Sequence, residues 1–161
     1  MLGSIAGRWL ESVRRNHALE HATVAVLFAR HGPSRIAGRA AGNGFFLLGD
    51  VSPDELGDAA AEALQRLQQG QASLAVSPLC GTNLAVAGFL GAGAATAAMH
   101  RDSGRFGNAF TMTMFAVMMA QPVGRVVQKY LTTSPHLEGV EVVGVRKVVG
   151  GLMKVQTRSA S

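Results

Sequence analysis

Charge is scarce in this chain, and some side chains are scarcer still. Of its 161 residues 16% are charged, and cysteine, tryptophan and tyrosine occur once each. The lone cysteine, Cys80, excludes an internal disulfide framework. The charged fraction is below the roughly one quarter typical of soluble domains, and none of it falls between Leu67 and Met99. No Gly-rich phosphate loop stands between a strand and a helix, so nucleotide chemistry has no support. The formal net charge of +5 is spread along the chain with few aromatics beside it. That pattern gives no sign of a nucleic-acid groove and suits a surface facing anionic lipid headgroups. No Lys or Arg precedes Arg8, which argues against a secretory signal. The length is that of one domain, and there are no internal repeats.

What is present begins with His17-Ala18-Leu19-Glu20-His21. It reads H-x-x-E-H, the inverse of the zincin order. On a helix, two histidines four apart lie one turn apart on one face, so both imidazoles reach a single cation. Projected at about 100° per residue, residues 8 to 30 gather Trp9, Leu10, Val13, Val24, Leu27 and Phe28 into one arc. His17, Glu20 and His21 fall in the same arc, while Arg8, Glu11, Arg15 and Arg30 lie across from it. Three ionisable groups are thus turned toward the core. A carboxylate buried between imidazoles is costly alone, and a divalent cation offsets that cost. Zinc is the expected ion, with Glu20 placed to take a proton from a water on it.

Two uncharged runs follow. The stretch from Leu79 to Met99 is long enough to cross a bilayer, and after a short polar loop, His100 to Arg105, a second runs from Phe106 to Gly124. They predict a transmembrane helical hairpin over 79–124, with Gly88, Gly91 and Gly93 as small residues for close helix packing. Positive residues are more numerous in both flanks than in the connecting loop. The expected address is therefore the bacterial inner membrane, multi-pass, both termini cytoplasmic. The lipid bilayer is the expected partner, beside an unknown substrate or partner membrane protein; no nucleic acid is expected.

The remainder predicts α+β structure: a small cytosolic unit (1–76 and 126–161) around the membrane hairpin, all one domain. Ile36 to Leu48 reads as one or two strands turning at Gly42-Asn43-Gly44. Ser52-Pro53-Asp54-Glu55 is a helix start with N-cap, proline and capping-box glutamate. That helix runs to about Gln69 and buries Leu56, Ala60, Ala63, Leu64 and Leu67. A short strand is expected at Ser73 to Val76, and two more at Val140–Val145 and Leu152–Thr157.

A catalytic zinc takes three protein ligands and keeps one position open. Glu55 and Glu62 are nominated by the inverse-zincin pattern but project away from the apolar face. Cys80, at the start of the first membrane helix, is the better third ligand, because the helix dipole and free N–H groups favour a thiolate there. His31, His100 and His136 are not expected to join.

The order H-x-x-E-H, polar helix, then P-x-C-G-T before a hydrophobic helix resembles the YqhQ-like family of bacterial membrane proteins. It also resembles shorter uncharacterised proteins beginning N-H-A-x-E-H-A. The matching pieces are Asn16 to Thr23, Pro78 to Asn83 and, more loosely, Gln128, Thr132, Thr133 and Pro135. The resemblance implies a metal-dependent enzyme and supports grouping His17, His21 and Cys80; it implies no substrate. The expected function is a membrane-bound zinc hydrolase, a peptidase by preference, with Asn83 or N–H groups near Gly81 stabilising an oxyanion. The alternatives are a non-catalytic membrane module with a structural metal site, marked by a fourth ligand, and a thiol enzyme using Cys80 as nucleophile.

Overall fold

The computed structural model describes residues 2–101 and 106–159. Residues 102–105, within the expected hairpin loop, lie outside the described residues. The chain divides into two compact units, Met1–Val76 with Leu131–Ser161, and Ser77–Tyr130.

The first unit is α+β. Helix α1 (Leu2–His31) is followed by strands β1 (Ala37–Ala41) and β2 (Gly44–Leu48), helix α2 (Pro53–Gln68), and later β3 (Val140–Val149) and β4 (Leu152–Ser159). The four strands form one antiparallel sheet in the order β1-β2-β4-β3, which leaves β1 and β3 as edges. Phe45 and Leu47 of β2 and Met153 and Val155 of β4 are buried, as expected of a sheet covered on one face; Lys154, between the last two, is buried as well. They share one core with Leu19, Val26 and Leu27 of α1 and with Leu56, Leu64 and Leu67 of α2.

Helix α2 starts as its sequence dictates. Ser52 is the N-cap, its hydroxyl accepts the Glu55 N–H at 3.2 Å, and Pro53 opens the first turn. Its five expected core residues are all buried. Past Gly70, which ends the helix at φ +87°, Ala72–Ala75 forms a 3-10 turn, not the expected strand. The local bonds Gln71 N–H to Arg66, Leu74 N–H to Gln71 and Val76 N–H to Ser73 satisfy this backbone without a sheet partner. The helix projection also needs correction at its start. Trp9 and Leu10 lie on the right face but are exposed, Trp9 by 62%, because a hydrophobic arc does not tell where the covering core ends.

The second unit is a helical hairpin of α3 (Gly81–Arg101) and α4 (Phe106–Val127); the π turn Gln128–Thr132 that follows α4 begins in this unit and ends in the first. Both helices are long and apolar enough to cross a membrane, and only 11% of the most apolar stretch of each is buried. Of the three glycines expected to ease packing, Gly91 faces α4, where a Cβ would meet Thr113 and Val117 at 3.5 and 3.6 Å; Gly88 and Gly93 face open space.

Candidate metal centre

Helix α1 is pinned to its surroundings by polar bonds from the residues around the motif. Asn16 donates its amide to Ala41 O at 2.8 Å, at the end of β1, and accepts the Thr157 hydroxyl of β4 at 2.7 Å. Arg14 accepts the Ser134 N–H through its carbonyl at 3.1 Å and donates a guanidinium N–H to Thr133 O at 3.2 Å. Residues 132–134 are thereby laid along the same turn of helix that carries His17.

The two histidines use the same device. His17 Nδ1 bonds Thr132 O at 2.9 Å, and His21 Nδ1 bonds Ala75 O at 2.8 Å. A carbonyl oxygen only accepts, so each Nδ1 must carry the proton in these bonds. In a neutral imidazole that leaves Nε2 as the lone-pair nitrogen, the tautomer a metal ligand requires. The rings are 4.4 Å apart between centroids, tilted by 60°, and one ring nitrogen of each lies within 4.8 Å of the other. A pair of imidazoles held in that tautomer at that separation suits a borderline divalent cation.

Glu20 is buried, 8% exposed, and its Oε2 lies 4.0 Å from His17 Nε2. Its carboxylate is seated beneath β1: a Cβ on Gly38 would come to 2.1 Å from Oε1. Glycine at 38 is therefore a condition for Glu20 to lie where it does. Sequence reasoning missed this residue, although an isolated glycine in a strand is a known sign of close approach by another group.

Cys80 belongs to the other unit. It is buried and stands immediately before α3, where its sulfur accepts the Thr82 N–H at 3.4 Å and donates to the Thr82 hydroxyl at 3.3 Å. This is the bonding of an N-cap, with sulfur in place of oxygen. The other nominated side chains are engaged elsewhere. Glu55 pairs with His31, and Glu62 with Arg30 and Arg66. The Arg30 hydrogen bond is the main reason the Glu62 carboxyl is held below its ordinary range. His100 lies in the last turn of α3 and His136 in a loop, both exposed.

Asn83 has a different occupation from the oxyanion role expected of it. Its amide nitrogen donates to Ser77 O at 3.3 Å and Pro78 O at 2.8 Å, and its oxygen accepts from Gln128 Nε2 at 2.9 Å. Gln128 in turn accepts the Ser77 N–H at 2.8 Å. Gly124 leaves the space: a Cβ there would fall 2.0 Å from Asn83 Oδ1. The two amides clasp the loop from Ser77 that leads to Cys80, so Asn83 is a holder of backbone.

Fold and site define an α+β protein with a His-Glu-His triplet on its first helix, Glu20 and His21 buried and His17 half-buried, and a helical pair capable of spanning a membrane. The family model for a domain of unknown function, DUF6391, matches residues 12–145. The chain belongs to that family. It is also similar to an uncharacterized protein of Picosynechococcus, 36% identical over 141 residues, covering 79% of this chain and 68% of the relative. No solved structure matches. These comparisons place the chain in the unknown-function family and lend no support to the YqhQ-like resemblance.

Proposed function

We propose that the protein is a membrane-bound zinc hydrolase acting on a peptide or amide bond near the membrane surface. His17, His21 and Cys80 are its metal ligands and Glu20 its general base. The observation that carries this reading is the pair of Nδ1 bonds to Thr132 O and Ala75 O, which set both imidazoles in the coordinating tautomer. Cys80 is supported by chain length. It follows Ala75, whose carbonyl accepts from His21, by five residues, and an extended chain of that length reaches about 17 Å. The Thr82 N–H donated to its sulfur at the start of α3 favours the thiolate.

When bound, zinc supplies Lewis acidity and brings the pKa of water to about 7. Glu20 accepts the proton of the attacking water and returns it to the leaving nitrogen. The hairpin crosses the inner membrane with both termini cytoplasmic, in keeping with the positive residues that flank it.

A structural metal site is the second reading, and one observation favours it. The carbonyls held by His17 and His21 lie two residues outside Ser77–Tyr130 on either side, so the same histidines fasten both passages of the chain into the hairpin. Metal analysis of detergent-purified protein separates the readings. The expected result is one zinc per chain, lost in both His17→Ala and His21→Ala; full metal content in both variants would refute the site. Glu20→Gln retains zinc if Glu20 is a base, and loses about 10- to 100-fold in affinity if it merely orients a histidine.

A further inference from the structure

Strand β1 is an edge, and its hydrogen-bonding alternation can be read from its neighbours. Thr157 N–H bonds Asn43 O and Gly49 N–H bonds Gly151 O, so the odd-numbered residues of β2 turn toward β4. The even-numbered ones, Gly44, Phe46 and Leu48, turn toward β1, where their partners are Ala41, Arg39 and Ala37. Gly38 and Ala40 therefore direct their N–H and C=O groups away from the sheet, and these groups have no protein partner among the described residues. Edges of this kind are normally blunted by charge, proline or a covering element. Here the sequence is Ala-Gly-Arg-Ala-Ala: one charge, Arg39, whose backbone pairs inward with β2, and four small residues that admit another backbone closely.

This edge borders a cleft of about 770 Å³ within the first unit, lined by the whole of β1 with Trp9 and Val13 of α1, Phe46 and Leu48 of β2, and Leu152. Its walls are apolar, and it runs beside the helix that carries the H-x-x-E-H motif. At one end Gly38 sits directly over the Glu20 carboxylate.

We propose that the β1 edge binds an extended polypeptide, added to the sheet as a fifth strand, with apolar side chains in the Trp9–Val13–Phe46 cleft. Backbone pairing supplies affinity that is tolerant of sequence, and the cleft selects for apolar residues. On the hydrolase reading, on which this identification of the substrate rests, an unfolded or linear peptide is laid alongside Glu20. The binding itself needs no metal.

Trp9 is the sole tryptophan and lines the cleft, so its emission reports occupancy directly. The probe is a pool of end-blocked pentapeptides, degenerate at every position over the non-proline residues, added to the full chain in nanodiscs. Retained peptide is measured by mass spectrometry. The Ala40→Pro variant deletes one outward N–H and no bond to β2, a substitution edge strands tolerate. It should reduce retention by about tenfold, the worth of one to two net hydrogen bonds, with zinc content unchanged. A pool N-methylated on every residue, which leaves neither edge able to pair, should be retained equally poorly by the unaltered protein, a control that does not depend on the variant folding. Equal retention by wild type and Ala40→Pro, or of methylated and unmethylated pools, overturns the proposal. So does a Trp9 quenched by brominated lipid and indifferent to peptide, which would assign the face to the bilayer. Zinc without peptide binding fails this proposal alone; edge-dependent binding without zinc fails the hydrolase reading and leaves the edge standing.

Discussion

In the unit built from α1, α2 and the sheet, Leu19, Leu27, Phe45 and Leu56 are withdrawn from solvent, and the charges other than Glu20 and Lys154 stand partly or wholly outside. In the α3–α4 hairpin the arrangement is reversed. Phe89 and Phe106 are 81% and 83% exposed, with Phe115, Met118 and Met119 beside them, while Asn83 and Gln128 are buried. Each large side chain left in water forgoes about 1.5–3 kcal/mol of burial, so a water-soluble hairpin of this composition would turn the other way. The comparison teaches that the two units distribute polarity in opposite senses. One buries its apolar groups, and the other leaves them exposed around a few buried polar ones.

The sharpest way to break that comparison is to make the change that should hurt one unit and not the other. Leu19→Ala leaves a cavity in a packed core and should cost about 2–5 kcal/mol, read as lost thermal stability of the first unit. Phe115→Lys replaces an exposed side chain near the middle of α4. In water that change is close to neutral; in a bilayer it costs about 3 kcal/mol at the helix centre, or roughly a hundredfold in insertion. A Phe115→Lys protein that inserts as well as the unaltered one would mean that lipid does not meet this face.

A smaller effect is expected at the polar clasp. Gln128→Leu strands the Ser77 N–H and the Asn83 oxygen, both now paired. Leaving buried groups unpaired costs about 1–3 kcal/mol, visible as a lower unfolding temperature in detergent. Because the clasp holds the loop before Cys80, the thiol should also react faster with a maleimide. An unchanged thiol rate with lowered stability would make the clasp a device of the hairpin alone.

The sequence pattern was most legible where periodicity and capping act locally. Helix α2, with Ser52, Pro53 and its five buried residues, could be read almost residue by residue, and so could the turn at Gly42–Asn43. The inward face of His17, Glu20 and His21 was legible too, since a helix wheel sees direction. It does not see distance, which is why Trp9 and Leu10 were expected inside. What remained hidden depends on partners far along the chain: the carbonyls of Ala75 and Thr132 that choose the histidine tautomer, and the absent Cβ of Gly38. Gln128 was picked out only by resemblance; its bonds to Ser77 and Asn83, across some fifty residues, leave no local trace. Backbone acceptors carry no side-chain signature, so they cannot be found by motif.

The smallest expected effect lies on the outer surface of the first unit, where charge is handled in the ordinary aqueous way. Glu62 bridges Arg30 of α1 and Arg66 of α2, and its carboxyl is held below its ordinary range, first by the Arg30 hydrogen bond and further by the charges of Arg66 and Arg30. A carboxyl lowered on folding contributes stability that is fully present above its unfolded pKa and is lost as pH falls through the folded one. Glu62→Gln should therefore unfold slightly below wild type near neutral pH, and the gap should close as the solution is acidified past the lowered value. The group is exposed, so screening keeps the difference small, and added salt should shrink it further. If the gap instead widens toward acid, the pair is not what tethers α1 to α2. An effect near neutral pH as large as that of Leu19→Ala would show that this surface meets something other than water.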